Sequence, residues 1–380
     1  MMSCQIAPGH RPSPYLAIAS ALLALVTLSA CSHDQTARSE SLAVLETVAW
    51  SPDGKQIAAG RDIFNIVFLY DAVTLRRSAV FMGQEKDTWG RIRARSLAFS
   101  HDGGFLAAAG IDRMVVIWDA RSGDEVLRLN DLRDSNAVAF SPVANVLAAS
   151  GPGSAVTLWK VPEGSKLATL AQPAPALSVA FSPNGDLLVT GGEDHVVRVW
   201  RTSDGETAAR LQPLAYPVTS VAFSPDGETL AAYAGKVTFW EQLERSSEWR
   251  PPRSDIEVIH SPGARFGAFL LDLEMLSAGK GFIPIPSGAG FEQRQAEHAV
   301  EHRMPIVFSS DGRFLAVMRE NLDFGGAREI LLLQRDTGRI LSMNCNCYSM
   351  AFSPDGKSLV TVGFKVRLWN PATGQELTQQ

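Results

Sequence analysis

The sequence is poor in cysteine and has no excess of positive charge. Its 380 residues include four cysteines, and only Cys345 and Cys347 lie beyond residue 31. Lysine and arginine total 35 against 40 aspartate and glutamate residues, so the formal net charge is −5 at pH 7. A nucleic-acid-binding surface needs a basic excess, and we therefore expect no nucleic-acid partner.

Long hydrophobic runs and enzyme motifs are also missing. The mostly apolar stretch Leu16–Leu28 has 13 residues, whereas a helix that spans a bilayer needs about 20. There is no Gly-x-Ser-x-Gly nucleophile elbow between a strand and a helix, no phosphate-binding glycine loop followed by lysine and serine or threonine, and no Cys-x-x-Cys pair. We therefore expect no transmembrane helix in the mature chain, no cofactor and no enzymatic activity.

The first 30 residues have the order of a secretory signal peptide. A polar start containing Arg11 precedes the apolar run Leu16–Leu28 and two small residues. Leu28-Ser29-Ala30-Cys31 resembles a bacterial lipobox, which implies cleavage before Cys31 and lipid on that cysteine. The alternative is an ordinary secretory peptide in which Cys31 has no special role.

The residue after Cys31 bears on the location of the mature protein. In enteric-type sorting, a serine at this place, here Ser32, implies the outer membrane. We expect a lipid-anchored protein of the bacterial cell envelope that faces the periplasm. Residues 31–41 are then a lipidated tether, and the folded domain is expected over residues 42–380.

One strand-and-turn unit recurs along this domain. In its clearest copy, Val179–Gly205, an apolar strand leads through Ser-Pro-Asn-Gly to a second strand, and a third strand ends at Trp200. Proline and glycine preset the backbone angles of such turns. Three short strands have exposed edges and are unstable alone, so the unit needs copies beside it. The first-strand aromatic residue recurs at Trp50, Phe99, Phe140, Phe181, Phe223, Phe308 and Phe352.

The spacing of these aromatic residues predicts the number of copies. The intervals are 49, 41, 41, 42, 85 and 44 residues. Because 85 is two periods, we expect an eighth, degenerate copy at Val258–Gly263, with His260 in the aromatic position. The alternative is seven copies with a long insertion before Pro305.

A period near 42 with a tryptophan at the end of the third strand resembles the WD40 family of β-propellers. The resemblance covers residues 42–380, although Trp118-Asp119 is the one literal Trp-Asp pair and the family's Gly-His dipeptide is absent. It implies an all-β propeller of four-stranded blades: eight with one degenerate, or seven with an insertion. It also implies a non-catalytic scaffold that binds other envelope proteins. The alternative is a propeller that binds a small ligand in its central channel, for which the sequence has no residue signature. The third-strand endings are Leu69-Tyr70-Asp71, Ile117-Trp118-Asp119, Leu158-Trp159-Lys160, Val199-Trp200-Arg201, Phe239-Trp240-Glu241 and Leu368-Trp369-Asn370.

A candidate partner-binding patch follows the first copy. Tryptophan and arginine are the residues most enriched at binding hot spots, and they favour an acidic partner here. The alternative is a solvated loop whose tryptophan packs against the rim. The patch residues are Trp89, Arg91, Arg93 and Arg95, with Trp249 as a further candidate.

Two short motifs raise a metal-binding or hydrolytic alternative. His298-x-x-Glu301-His302 matches the H-x-x-E-H pattern of inverted zinc peptidases, but Pro305 and a strand follow at once where a helix is needed. Cys345 and Cys347 would share one face of a strand, with Cα atoms about 6.6 Å apart. They are either a redox or metal pair or two small packed side chains, and their oxidation state stays open. The domain is thus expected to contain no metal cofactor.

Overall fold

Short strands joined by tight turns make up the protein. The computed structural model describes residues 44–61, 66–82, 94–111, 114–130, 132, 135–150, 153–242, 249–250, 259–260, 305–321 and 327–377. These residues form 29 strands and no helix, so no helix among them has the length and apolarity to cross a bilayer. The strands pair as seven antiparallel sheets.

Each of the first four sheets has four strands that pair in chain order. Sheet one contains β1 (Leu45–Trp50), β2 (Gln56–Arg61), β3 (Ile66–Asp71) and β4 (Arg77–Met82). Sheet two contains β5 (Ser96–Phe99), β6 (Phe105–Ile111), β7 (Met114–Asp119) and β8 (Glu125–Leu129). Sheet three contains β9 (Val138–Phe140), β10 (Val146–Ser150), β11 (Ala155–Lys160) and β12 (Ser165–Ala171). Sheet four contains β13 (Ala176–Phe181), β14 (Leu187–Gly192), β15 (Val197–Arg201) and β16 (Thr207–Arg210).

The last three sheets follow the same order, except that the outer strand of the fifth is in two pieces. Sheet five contains β17 (Ser220–Phe223), β18 (Thr229–Tyr233), β19 (Lys236–Gln242), β20 (Trp249–Arg250) and β21 (Ile259–His260). Sheet six contains β22 (Ile306–Phe308), β23 (Phe314–Asn321), β24 (Ala327–Gln334) and β25 (Ile340–Asn344). Sheet seven contains β26 (Cys347–Phe352), β27 (Leu359–Gly363), β28 (Val366–Asn370) and β29 (Gln375–Glu376).

The sheets are the blades of a closed ring. The first strand of every blade lies innermost and packs beside the first strands of the two neighbouring blades, and β26 of blade seven packs against β1. The indole Nε1 of Trp50 donates a hydrogen bond to the Ala351 carbonyl, 3.2 Å away, across this closure. Val48 and Ile57 share one buried cluster with Val360 and Val362. The expected all-β propeller is confirmed.

The prediction of an eighth blade is wrong, and the alternative of seven is confirmed. β21, which contains His260, pairs with the first residues of β19, while β20 pairs with its last residues, so both pieces extend the outer edge of blade five. The inner strands of blades five and six are direct neighbours: the Ser220 hydroxyl accepts a hydrogen bond from the Ile306 amide at 3.0 Å. A contact this close leaves no place for another blade.

The turn between the first and second strands repeats one hydrogen-bond pattern. In blade two, the Ser100 hydroxyl donates to Asp102 and accepts the Phe105 amide. Serines 51, 224, 309 and 353 bond the aspartate two residues later in the same way. The Ser100 hydrogen bond lowers the pKa of Asp102 to about 2. The ionised Asp102 carboxylate therefore contributes its full stabilisation above about pH 4, and this stabilisation is lost as the pH falls towards 2.

A buried hydrogen-bond chain joins Trp200 of blade four to the segment that precedes β13. The Trp200 indole donates to the Thr190 hydroxyl at 3.1 Å, which donates to the Gln172 side-chain carbonyl at 2.9 Å. The Gln172 amide in turn donates to the Ala174 carbonyl at 2.9 Å. Thr190 is fully buried and Gln172 nearly so, so the polar groups of these two side chains satisfy each other away from solvent.

Blade four also contains a buried ion pair. The turn aspartate Asp194 contacts the Arg198 guanidinium of β15 at 2.5 Å. The exposed fraction of the Arg198 side chain is 6% and that of Asp194 is 18%. Arg198, the buried charge of β15, is thus compensated by the turn that precedes the strand.

Candidate functional site

A cavity of about 550 Å³ lies at the end of the ring where the inner strands begin, which we call the upper face. All seven blades contribute to its wall, because each inner strand starts there. More than half of its lining residues are polar. The lining residues are Glu46, Thr47, Val48, Ala94, Arg95, Ser96, Leu97, Asn136, Ala137, Val138, Leu177, Ser178, Val179, Glu193, Thr219, Ser220, Pro305, Tyr348 and Ser349.

Irregularities at the start of three inner strands place residues on this wall. The pairing of β1 with β2, β13 with β14 and β26 with β27 skips one residue, so that Glu46, Leu177 and Tyr348 have no partner in the ladder. An extra residue in one strand bends the strand and re-aims its side chain. These three bulges explain why Glu46, Leu177 and Tyr348, at the ends of their strands, direct their side chains to the cavity.

Glycines in the second strands allow neighbouring chain segments to pack closely beside the bulges. A Cβ atom on Gly60 would lie 2.6 Å from the Cβ atom of Ala94, and one on Gly191 would lie 2.4 Å from a methyl carbon of Val218. Real Cβ contacts are not this short. The start of the next blade therefore reaches its position at the cavity because these two residues have no side chain.

Charged and amide side chains surround the cavity at its upper rim. The Arg95 guanidinium is exposed and donates a 2.5 Å hydrogen bond to the Asn136 side chain, which fixes its direction. Glu46 is half-buried on blade one, and Glu193 is exposed in the turn of blade four. Among the described residues, the rim thus carries the oriented Arg95 cation and the carboxylates of Glu46 and Glu193.

The serines of the cavity wall hold the blades together. The Ser96 hydroxyl accepts the Val138 amide at 3.2 Å, and the Ser178 hydroxyl accepts the Val221 amide at 3.1 Å. Each bond joins one inner strand to the next, as the Ser220 bond does between blades five and six. These hydroxyls have a structural role, so the groups best placed for an incoming ligand are those of the rim.

The sequence-predicted patch is divided by the structure. Arg95 lines the cavity, whereas Trp89, Arg91 and Arg93 lie outside the described residues. Trp249 is 8% exposed on the outer strand of blade five, with its ring 5.8 Å from that of Phe223. A buried indole has little surface for a partner, so Trp249 is excluded from the partner-binding patch.

The metal and lipid candidates fall partly outside the described chain. Cys31, His298, Glu301 and His302 are not among the described residues. Cys345 and Cys347 form a disulfide, which has no thiolate to offer a metal ion. Within the described ranges, no three histidine, cysteine, aspartate or glutamate side chains are grouped as metal ligands.

Four further residues that line the cavity were not predicted as site residues from the sequence. Glu46, Asn136 and Tyr348 each lie four residues before the recurring aromatic position, as Arg95 does. Glu193 follows the glycine pair at the end of β14. The register of the repeat could have identified them, because equivalent positions of different blades lie at the same height in the ring.

Comparison with known proteins agrees with this architecture. The family model for the WD domain, G-beta repeat, matches residues 87–119, 164–201 and 212–241, a little over a quarter of the chain. The three matches end at Asp119, Arg201 and Glu241, each directly after the tryptophan of a third strand. No curated protein matches the chain. The chain therefore contains WD40 repeats in a seven-bladed propeller, a fold that typically serves as a protein-interaction scaffold.

Proposed function

We propose that this protein is a non-catalytic scaffold of the bacterial cell envelope that is anchored through Cys31 and binds a partner protein at its upper face. The observation that carries the proposal is the polar cavity with Arg95 at its rim. Rigid propellers position such surfaces without moving, because every blade is fixed between two others. Binding residues are often found on loops and strand ends of a rigid scaffold.

The character of the cavity favours a protein segment over a small molecule. Its volume of about 550 Å³ is within the usual range of small-molecule sites, and this keeps a small ligand as the second candidate. Small-molecule sites are, however, lined mainly by apolar and aromatic side chains, whereas this wall is mainly polar and opens on the upper face. An inserted polar side chain or loop of a partner fits that wall better.

The charges of the rim indicate what the partner contributes. Arg95 can form a bidentate pair with a carboxylate, and its bond to Asn136 limits the entropy lost on binding. The sequence adds Arg91, Arg93 and Trp89 just before it. We therefore propose an envelope protein that presents an acidic segment to Arg95.

The location rests on the leader and on the oxidised cysteine pair. The lipobox-like sequence before Cys31 supports export and lipidation, and several acyl chains together anchor a protein stably. Disulfides persist in oxidising compartments such as the bacterial periplasm, so the Cys345–Cys347 bond supports the same location.

Reversing the charge of Arg95 is expected to abolish partner capture. In the Arg95→Glu variant, a carboxylate would meet the acidic segment at the rim, and we expect recovery of the partner after envelope crosslinking and pull-down to fall about tenfold or more. The measurement is quantitative mass spectrometry of the captured proteins.

The matched control is Arg210→Glu, which makes the same change at an exposed position on the outer strand of blade four. It should leave capture of the partner unchanged. Equal capture by wild type and Arg95→Glu would contradict the proposed surface. Equal loss of capture in Arg95→Glu and Arg210→Glu would show that the loss comes from the changed net charge of the protein and not from the position of Arg95.

Replacing Cys31 by serine is expected to prevent attachment of the lipid anchor. Without the thiol there is no attachment point for lipid, so the protein should remain in its longer precursor form or appear in the soluble fraction. Fractionation of the envelope with mass measurement of the N-terminus checks this. A mature wild-type protein without a lipid mass on Cys31 would contradict the anchor.

A further inference from the structure

The disulfide lies in the single connection between blades six and seven. Cys345 directly follows β25, and Cys347 is the first residue of β26. Tyr348, the bulged residue of β26 that lines the cavity, comes next. The bond is therefore adjacent in sequence to the cavity wall.

A disulfide this local contributes little to global stability. In the chain-entropy model, closing a loop of three residues changes the folding equilibrium constant by about 15-fold, whereas a 100-residue loop changes it by about 3,000-fold. The propeller ring does not depend on the bond, because neighbouring blades are joined by packing and by hydrogen bonds between inner strands. Its effect is on local conformation.

The bond holds the connection in a bent form. The Cα atoms of Cys345 and Cys347 are 5.1 Å apart, whereas two residues of an extended strand span about 6.6 Å. Asn346 between them has φ of 45°, in the left-handed region that few residues other than glycine and asparagine adopt. Loss of the bond would remove the covalent constraint on this bend.

Tyr348 is coupled to this bend through Arg328 of β24. The Arg328 carbonyl accepts the amides of Cys345 at 3.3 Å and Asn346 at 3.1 Å. The guanidinium of the same residue lies 4.2 Å from the centre of the Tyr348 ring. One residue thus contacts both the bent connection and the aromatic side chain on the cavity wall.

Reagents can reach the bond after a local opening. Both cysteines are nearly buried, but Asn346 between them is exposed. Two hydrogen bonds of the connection, from the Cys345 amide to Arg328 at 3.3 Å and from Arg367 to the Cys345 carbonyl at 3.4 Å, are longer than typical. The Asn346 bond to Arg328, at 3.1 Å, is within the usual range. Such segments open at a much lower free energy than the whole fold.

We infer that Cys345–Cys347 is a reversible modification site for a dithiol oxidoreductase, and that its oxidation state sets the position of Tyr348 at the cavity. A thiolate of the dithiol attacks one sulfur and forms a mixed disulfide, and the second cysteine leaves as a thiol. The second thiol of the reagent then resolves the mixed disulfide. Two cysteine thiols form here, and the dithiol becomes a disulfide.

The first test measures the rate of reduction in the full folded protein. Dithiothreitol at neutral pH serves as the dithiol, and alkylation with mass spectrometry of the 345–347 peptide reports the free thiols. We expect reduction about 100-fold faster than global unfolding measured under the same conditions. Reduction only at the rate of global unfolding would show a purely structural bond and overturn the inference.

The second test measures the local consequence and does not involve a partner protein. Reduction should raise amide hydrogen exchange at residues 345–349 about tenfold or more, and also nitration of Tyr348, while blades two to four stay unchanged. The double variant Cys345→Ser/Cys347→Ser should show the reduced pattern and ignore dithiothreitol. Unchanged hydrogen exchange at residues 345–349 in the reduced wild type would overturn the proposed coupling between the disulfide and Tyr348. This result decides the test even if the double variant does not fold.

Discussion

Replacing Thr190 with valine is expected to lower the free energy of unfolding by about 3 kcal/mol. Valine keeps the shape of threonine and removes the hydroxyl that links the Trp200 indole to the Gln172 side chain. Both partners are buried, and leaving one buried polar group without its hydrogen bond costs about 1–3 kcal/mol. The Trp200 indole and the Gln172 carbonyl both lose a hydrogen bond, so the expected loss of about 3 kcal/mol is the sum of two such costs.

Urea-induced unfolding, followed by tryptophan fluorescence, measures this loss. Thr207→Val, the same change at an exposed position of the same blade, should alter stability by less than about 0.5 kcal/mol. A Thr190→Val protein as stable as Thr207→Val would show that the buried chain contributes nothing. Blade three indicates how a blade folds without the hydroxyl: Ala149 stands ten residues before Trp159, whose indole nitrogen has no hydrogen-bond partner among the described residues.

Replacing Asp194 with alanine is expected to destabilise the protein by about 3 kcal/mol as well. The change leaves the Arg198 guanidinium, 6% exposed, without its carboxylate. Removing one partner of a buried ion pair typically costs 3–5 kcal/mol, because an uncompensated charge stays buried. The partial exposure of Asp194 places the expected value at the lower end of that range.

An exposed ion pair in the same blade provides the control. Arg201 and Asp204 are 3.0 Å apart with nearly half of each side chain exposed, and such surface pairs contribute little. Asp204→Ala should therefore change the urea midpoint only slightly. Equal effects of Asp194→Ala and Asp204→Ala would contradict the claim that burial makes the first pair important.

The repeat could be predicted from the sequence because its turns and strands are local. The aromatic positions from Trp50 to Phe352 mark seven inner strands. The turn that follows each of them has a serine, and six of the seven turns have a glycine, because the backbone chemistry of such turns is set within a few residues. The eighth copy was wrong for a related reason. Residues around His260 have the composition of an inner strand, but periodicity does not reveal that they pair with the outer edge of β19.

The candidate site was harder to predict because it depends on bulges and burial. Glu46 and Tyr348 reach the cavity because a β-bulge leaves each of them unpaired in its strand. A bulge shifts the alternation of side chains between the two faces of the sheet, and this shift cannot be predicted from the regular alternation of a strand. Trp249 has the residue type of a hot spot, but tertiary packing buries it. The bend at Asn346 likewise brought two cysteines closer than an extended strand allows.

Site-specific photocrosslinking in the living envelope would test the central claim, that a partner protein binds at the upper face, most directly. A photoreactive residue would replace Glu193 at the cavity rim and, in a second strain, Glu228 in a turn on the opposite face; both positions are exposed. We expect one defined adduct from position 193, lost when Arg95→Glu is added, and none from position 228. Equal adducts from both positions, or an adduct at 193 that survives Arg95→Glu, would contradict partner binding at the upper face.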